Sequence, residues 1–274
     1  MVGDFPVDAV TVAAGQAHCA AGDVGANVAV ASDMVRRAHE EGAEVLLLPE
    51  LFVSGYDLEA IARDPSLLIQ PDDPRLDDLG ATCRDTHTAL VVGAPTQGSS
   101  GARYISALVF GRNGQRTGQY DKQFLDATER AADFVAGAGD VAITIGGWRI
   151  GLGICWDSAF PEHARTSALD GCHAYAVGGL FNRGDGDRKR AIRGAARAVD
   201  NSMYVMFSNH VGPQGPYVGS GHSAIWDPNG DVRADAGLDA PGLAVATLDP
   251  EVLQAARSGD SPLAEMHRRT DEST

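Results

Sequence analysis

Gly147-Trp-Arg-Ile-Gly-Leu-Gly-Ile-Cys-Trp-Asp-Ser-Ala-Phe-Pro-Glu162 is the stretch on which the fold of this chain turns. Ile150, Leu152 and Ile154 alternate with Gly151 and Gly153, and a period of two with small residues between describes a buried strand closely approached by other backbone. The strand ends on Cys155. Beyond it, Asp157 or Ser158 is placed to cap a helix that starts near Pro161, carries Ala164, Ala168 and Leu169 on one face and stops at Gly171. Cys155 therefore stands at a strand-to-helix elbow with helix N–H groups aimed at it, a position that favours thiolate over thiol. The elbow alone does not separate a nucleophile from an ordinary structural cysteine, because free cysteine is among the most buried residue types.

Outward from this stretch, strands and helices alternate. Val7–Ala14 reads as a first strand and Asn27–Glu41, with Val28, Ala31, Val35 and Ala38 on one face, as a first helix. Val45-Leu-Leu-Leu-Pro49 is apolar on both faces, so it belongs in the middle of a covered sheet, and it delivers Glu50 to its end. Pro74–His87 reads as a second helix and Ala89–Gly93 as a buried strand. Tyr104–Gly111 and Arg116–Tyr120 form a hairpin about Asn113-Gly114 that ends at Asp121-Lys122. A charged loop with Asp126, Glu129 and Arg130 follows, and Val141–Ile145 pairs with Arg149–Ile154. Past the elbow come a strand at Ala174–Val177, an Ala/Arg helix at Lys189–Asn201, strands at Met203–Ser208, Ser223–Trp226 and Val232–Ala234, and a last strand at Leu243–Leu248. About a dozen strands overfill one open sheet, so an α/β fold with two packed mixed sheets and helices outside is expected.

The 274 residues contain no linker or charge block, and read as a single domain over 1–274 with a C-terminal tail from about residue 255. Met1-Val-Gly-Asp-Phe-Pro-Val-Asp8 lacks the pattern of a signal peptide and no apolar run is long enough to span a bilayer, so a cytoplasmic protein without a membrane partner is expected. Cys19, Cys83, Cys155 and Cys172 show neither Cys-x-x-Cys pairing nor metal-ligand spacing, and His18 beside Cys19 has no further ligands near it, which argues against a metal site. A formal net charge of -15 argues against nucleic acid as a partner. The one basic cluster, Arg183 to Arg197, is interleaved with Asp185 and Asp187 and reads as a solvated helix face.

Glu50, Lys122 and Cys155 each stand where a strand ends. Singly they have plain readings: a turn cap, a surface charge, a buried thiol, with Glu129 a solvated carboxylate. Together they form a chemical set. A thiol needs a base to become a nucleophile, a carbonyl oxygen needs stabilising as charge develops on it, and a departing amine needs a proton. His222 beside Ser223 is a weaker pair, because neighbours on a strand point to opposite faces.

Leu46-Leu-Leu-Pro-Glu-Leu-Phe-Val-Ser-Gly-Tyr56, Tyr120-Asp-Lys-Gln-Phe-Leu125 with Glu129-Arg130, and Gly151-Leu-Gly-Ile-Cys-Trp-Asp-Ser-Ala-Phe-Pro-Glu162 together resemble the three signature regions of the nitrilase, or carbon-nitrogen hydrolase, superfamily. Arg193-Gly-Ala-Ala-Arg-Ala-Val-Asp-Asn-Ser-Met-Tyr204, Ser208-Asn209 and Gly221-His-Ser223 extend the resemblance, which runs from about Val10 to Leu248. It implies a four-layer α-β-β-α sandwich that forms a homodimer or higher homo-oligomer through the helical layer after the nucleophile, with no metal or organic cofactor. Carried over by position, Cys155 is the nucleophile, Glu50 the general base, Lys122 with the Trp156 N–H the oxyanion support, and Glu129 the residue that orients Lys122. Tyr56, Trp156, Asp157, Gly179, Leu180 and Phe181 are the expected substrate-binding residues.

The segments look most like the branch of aliphatic and ω-amide amidases, which implies cleavage of a small linear amide to an acid and ammonia through a thioester. Asp121, Asp126, Asp157 and Asp185 suggest acids near the mouth and hence an ω-amino or ω-guanidino amide. An N-carbamoyl hydrolase or a nitrilase would use the same residues, and a non-catalytic binding protein would keep the fold without the reaction. Asp121, Phe124, Trp156 and Val177-Gly-Gly-Leu-Phe181 depart from the commonest family pattern, at positions that border the site.

Overall fold

The computed structural model describes residues 5–258 and 261–271. Its strands are β1 (Val10–Gln16), β2 (Val45–Leu47), β3 (Ala89–Gln97), β4 (Arg103–Phe110), β5 (Arg116–Asp121), β6 (Ala142–Ile145), β7 (Trp148–Ile154), β8 (Ala174–Gly179), β9 (Tyr204–Asn209), β10 (Val211–Gln214), β11 (Tyr217–Ser220), β12 (Ala224–Trp226), β13 (Val232–Asp235) and β14 (Gly242–Leu248). Its α-helices are α1 (Val24–Glu40), α2 (Leu58–Arg63), α3 (Asp77–Thr86), α4 (Ala127–Ala131), α5 (Pro161–Leu169), α6 (Asp185–Asn201), α7 (Pro250–Arg257) and α8 (Pro262–Asp271).

Two six-stranded sheets run in the orders β14-β1-β2-β3-β4-β5 and β13-β12-β9-β8-β7-β6. Each has a parallel centre, β1-β2-β3 or β7-β8-β9, flanked by antiparallel strands. Every residue of β2 and β8 is buried, as parallel strands covered on both faces require. The sheets face each other through β1 on β9, β2 on β8 and β4 on β7. Helices α1 and α3 pack outside the first sheet, and α5 and α6 outside the second, which makes the expected four-layer α-β-β-α sandwich.

Local chemistry explains where the elements differ from their sequence bounds. Helix α1 begins ahead of its apolar periodicity because Asp23 accepts the Ala26 N–H as its cap. The elbow needs correction: β7 passes into a short 3-10 turn over Cys155–Ala159, and α5 starts at Pro161 behind Phe160, without a side-chain cap. Neither Asp157 nor Ser158 caps it, since both are fully buried. Helices α2 and α4 are too short to show a period, although Asp126 and Glu129 form a capping box that announces α4. Gly212, Pro213, Gly215 and Pro216 hide the β10-β11 ribbon.

The expected tail lies outside the described residues at 259–260 and 272–274. Its described part completes α7 and forms α8, whose Leu263 is buried among Ala164, Ala168 and Ala198. Residues 1–4, part of the signal-peptide reading, also lie outside the described residues. No helix among the described residues is long and apolar enough to cross a membrane.

The close approach of β3 to the segment after β2 sets the position of Glu50. A Cβ at Gly93 would stand 2.3 Å from the Pro49 carbonyl oxygen and 2.6 Å from Glu50 Cα. Only a residue without a side chain fits there. Gly93→Ala is expected to lower the urea midpoint with an unchanged slope, a loss of about 1–3 kcal/mol from backbone displacement.

Candidate active site

The first sheet supplies Glu50 and Lys122, from the ends of β2 and β5, and the second supplies Cys155 from the end of β7. Two of these exits are left-handed. Cys155 has φ 45° and Leu51, directly after Glu50, has φ 52°, conformations that cost a branched or functional side chain energy and that gather at functional sites. Glu50 is pinned from behind by His210, whose Nε2 donates to the Glu50 carbonyl at 2.6 Å.

Lys122 Nζ donates to Glu50 Oε1 at 2.7 Å and to Glu129 Oε1 at 2.5 Å. Glu50 and Lys122 are 1% exposed and Glu129 is 0% exposed, whereas Cys155 keeps partial access to solvent. Glu129 is held in turn by the Tyr56 hydroxyl at 3.3 Å and the Asp126 N–H at 2.9 Å. Burial raises the Glu50 carboxyl to about 8 against the pull of Lys122. For Lys122, burial works against the ammonium, but Glu50, Cys155 and Glu129 outweigh it and hold the group charged. Burial and then Glu50 push the Cys155 thiol well above its ordinary range. The elbow therefore does not produce a resting thiolate, contrary to the expectation from helix N–H groups: desolvation and two nearby carboxylates exceed that effect.

This arrangement can pass a proton between a thiol and a carboxyl while a lysine presents its remaining N–H to an incoming oxygen. The family profile described as carbon-nitrogen hydrolase matches residues 11–258. The chain belongs to the carbon-nitrogen hydrolase family. Among solved structures, an amidase from Nesterenkonia sp. aligns with TM-score 0.80 and 31% identity over 95% of each chain. Other structures of that amidase hold butyramide, or the acetamide moiety of fluoroacetamide added covalently at the active-site cysteine. The omega-amidase of Homo sapiens is 29% identical, covering 78% of this chain and 79% of its own. N-carbamoylputrescine amidase of Solanum tuberosum is 30% identical, covering 91% of this chain and 89% of its own.

The other expected site residues of this carbon-nitrogen hydrolase fall on either side of Cys155. Gly179 lies against it, with room for a Cβ only 3.2 Å from Cys155 Cα, and the Leu180 carbonyl accepts from the thiol at 3.8 Å. Phe181 is buried and stacked on Phe207. Trp156 is 41% exposed at the rim. Asp157 is a correction: it is fully buried and its carboxylate accepts from Ile154 N–H, Phe124 N–H and the Tyr120 hydroxyl at 2.7–2.9 Å, so it braces the elbow and cannot bind substrate.

The other acids expected near the mouth also have partners within the chain. Asp121 accepts from Ser106 and Gln119, Asp126 caps α4, and Asp185 pairs with Lys189 and Arg188. The basic cluster is not simply a solvated face, since Arg190 and Arg197 are buried. His222 pairs with Asp235 at 3.0 Å and Ser223 accepts from the Asn209 N–H at 2.9 Å, so they form no dyad.

Sequence reasoning missed His210 and the role of Asn209, which receives the Phe181 N–H and donates to the Phe181 carbonyl, fixing the segment beside the thiol. Their partners lie far along the chain, and only the Ser208-Asn209 match pointed near them. Iodoacetamide alkylation of Cys155, followed by peptide mass spectrometry, is expected to accelerate as pH rises through about 8, where Glu50 releases its proton. Glu50→Gln is expected to remove that inflection and slow alkylation about 100-fold.

Proposed function

We propose that this carbon-nitrogen hydrolase cleaves small linear aliphatic amides through a thioester on Cys155. The observation that carries the proposal is the closed, buried Glu50–Lys122–Glu129 set beside a partly accessible thiol on a left-handed elbow. The Nesterenkonia amidase, whose active-site cysteine takes up the acetamide moiety of fluoroacetamide covalently, supports a nucleophilic role for the matching cysteine here.

In the proposed reaction, Glu50 takes the thiol proton as Sγ attacks the amide carbonyl. The oxyanion is met by the third N–H of Lys122, whose other two face Glu50 and Glu129, and by the Trp156 N–H in the first turn after the elbow, where amides lack an intrahelical partner. Glu50 returns the proton to the departing nitrogen, the C–N bond breaks, and ammonia leaves a thioester. A water that gives its proton to Glu50 then attacks that thioester, the C–S bond breaks, and the acid departs as the thiol is restored. Glu129 keeps Lys122 aimed throughout. The acting unit in this proposal is a homodimer through α5 and α6, and exposed Ile192 and Val199 on α6 support it.

The Solanum tuberosum relative supports a second reading, an N-carbamoyl amine hydrolase with the same chemistry. Product analysis separates the two, because a carbamoyl substrate yields carbon dioxide with ammonia and an amide yields ammonia alone. Across a panel of propionamide, butyramide, glutaramate, an N-carbamoyl amine and a nitrile, turnover is expected for amides. Cys155→Ala is expected to lower it at least about 1,000-fold. Turnover of the carbamoyl compound or nitrile alone would replace the proposal.

A further inference from the structure

Arg190, Arg193 and Arg197 follow one another on α6 at spacings that share a face. Arg190 pairs with Asp187 at 3.0 Å and lies over the Trp226 ring. Arg197 donates to the carbonyls of Ser158 at 3.0 Å and Ala159 at 3.3 Å, clamping the turn after Cys155. Arg193 is different. Its guanidinium lies 5.6 Å from the centre of the Trp156 ring, and among the described residues it has no hydrogen bond or ion pair.

The side chain is half-buried, and a guanidinium drawn out of water without an acceptor carries a desolvation cost. Stacking on an indole offsets part of that cost but satisfies none of its N–H groups. Burial weakens the hold on its proton, and its place over Trp156, the residue directly after Cys155, sets it beside the nucleophile's own turn. From the Trp156 ring an apolar row continues: Trp156 meets Phe160 edge-on at 6.2 Å, and Phe160 stacks on Phe124 at 3.9 Å.

We infer that Arg193 is a specificity-determining residue that receives a carboxylate at the far end of the substrate, its methylene chain lying along Trp156, Phe160 and Phe124. The preferred substrates are then linear amides with an anionic terminus. The inference rests on the amidase proposal and adds the substrate's charge to it. A guanidinium suits the task because it grips a carboxylate through two parallel N–H donors. A chain of net charge -15 repels anions at long range, so recognition of one needs a local cation of this kind.

The test compares kcat/KM for glutaramate and its neutral isostere valeramide in the wild type, Arg193→Gln and Arg193→Lys, with solution mass measured on each. The wild type is expected to favour glutaramate, and Arg193→Gln to lower the glutaramate-to-valeramide ratio about tenfold or more, mainly through KM, with Arg193→Lys between them. An equal fall on both amides, or loss of the oligomer in Arg193→Gln, would overturn the inference in favour of a structural or interface role.

A second readout needs no turnover. Alkylation of Cys155 by anionic iodoacetate, relative to neutral iodoacetamide, is expected to slow in Arg193→Gln. If that ratio responds while no amide is cleaved, the anion receptor stands and the amidase proposal fails. If amides are cleaved and neither ratio responds, the amidase proposal stands and the role of Arg193 fails.

Discussion

The ammonium of Lys122, sealed between the carboxylates of Glu50 and Glu129, is the constraint on which the rest of the molecule depends. One cation and two potential anions in a dry site cannot all be ionised without cost, and removing one member of such a set typically costs about 3–5 kcal/mol. The imbalance is stored at Glu50, whose carboxyl burial raises to about 8. Glu129 is relieved by the Tyr56 hydroxyl and the Asp126 N–H, while Glu50 Oε2 has no hydrogen-bond partner among the described residues. That unsatisfied oxygen belongs to the carboxyl that faces Cys155. In the proposed reaction this makes Glu50 ready to accept a proton and ready to return it.

Holding this set requires the two sheets to keep a fixed distance, and the structure ties them across the site twice. Asp157, beyond β7 in the second sheet, accepts the Phe124 N–H and the Tyr120 hydroxyl on either side of Lys122 in the first. Its network continues through His163, which contacts the Tyr120 hydroxyl at 2.7 Å and the Tyr175 hydroxyl at 2.9 Å. His210, at the end of β9, reaches back to the Glu50 carbonyl. Burial holds His210 near 4, so it is a neutral brace at ordinary pH. Fully satisfied buried networks of this kind specify one arrangement of the groups they join, which is what placement within fractions of an ångström demands.

Much of the fold was legible because its signals are local. The double-faced apolar run at Val45 and the alternation from Ile150 to Ile154 each imply a covered strand wherever they occur, and Asn113-Gly114 implies a hairpin. Short elements carried too little pattern: α2 and α4 lack a full helical period, and the glycines and prolines of the β10-β11 ribbon read as loop. Asp157 was misread for a different reason. An acid beside a cysteine looks like a cap or a substrate contact in one dimension, and the three donors that fill it come from its own strand end and from the segment around Lys122.

Sequence by itself determined the family, the layered α/β class and the four side chains Glu50, Lys122, Glu129 and Cys155, because strand ends and motif spacing are properties of neighbours along the chain. Tertiary structure alone decided which charges are spent and which remain. Asp121, Asp126, Asp157 and Asp185 all proved engaged, Arg190 and Arg197 found partners, and Arg193 was left with an indole face. The physical reason is that ionisable groups act through space over a few ångströms, and burial sets the strength of that action. Neither the distance nor the burial is written in the order of the residues.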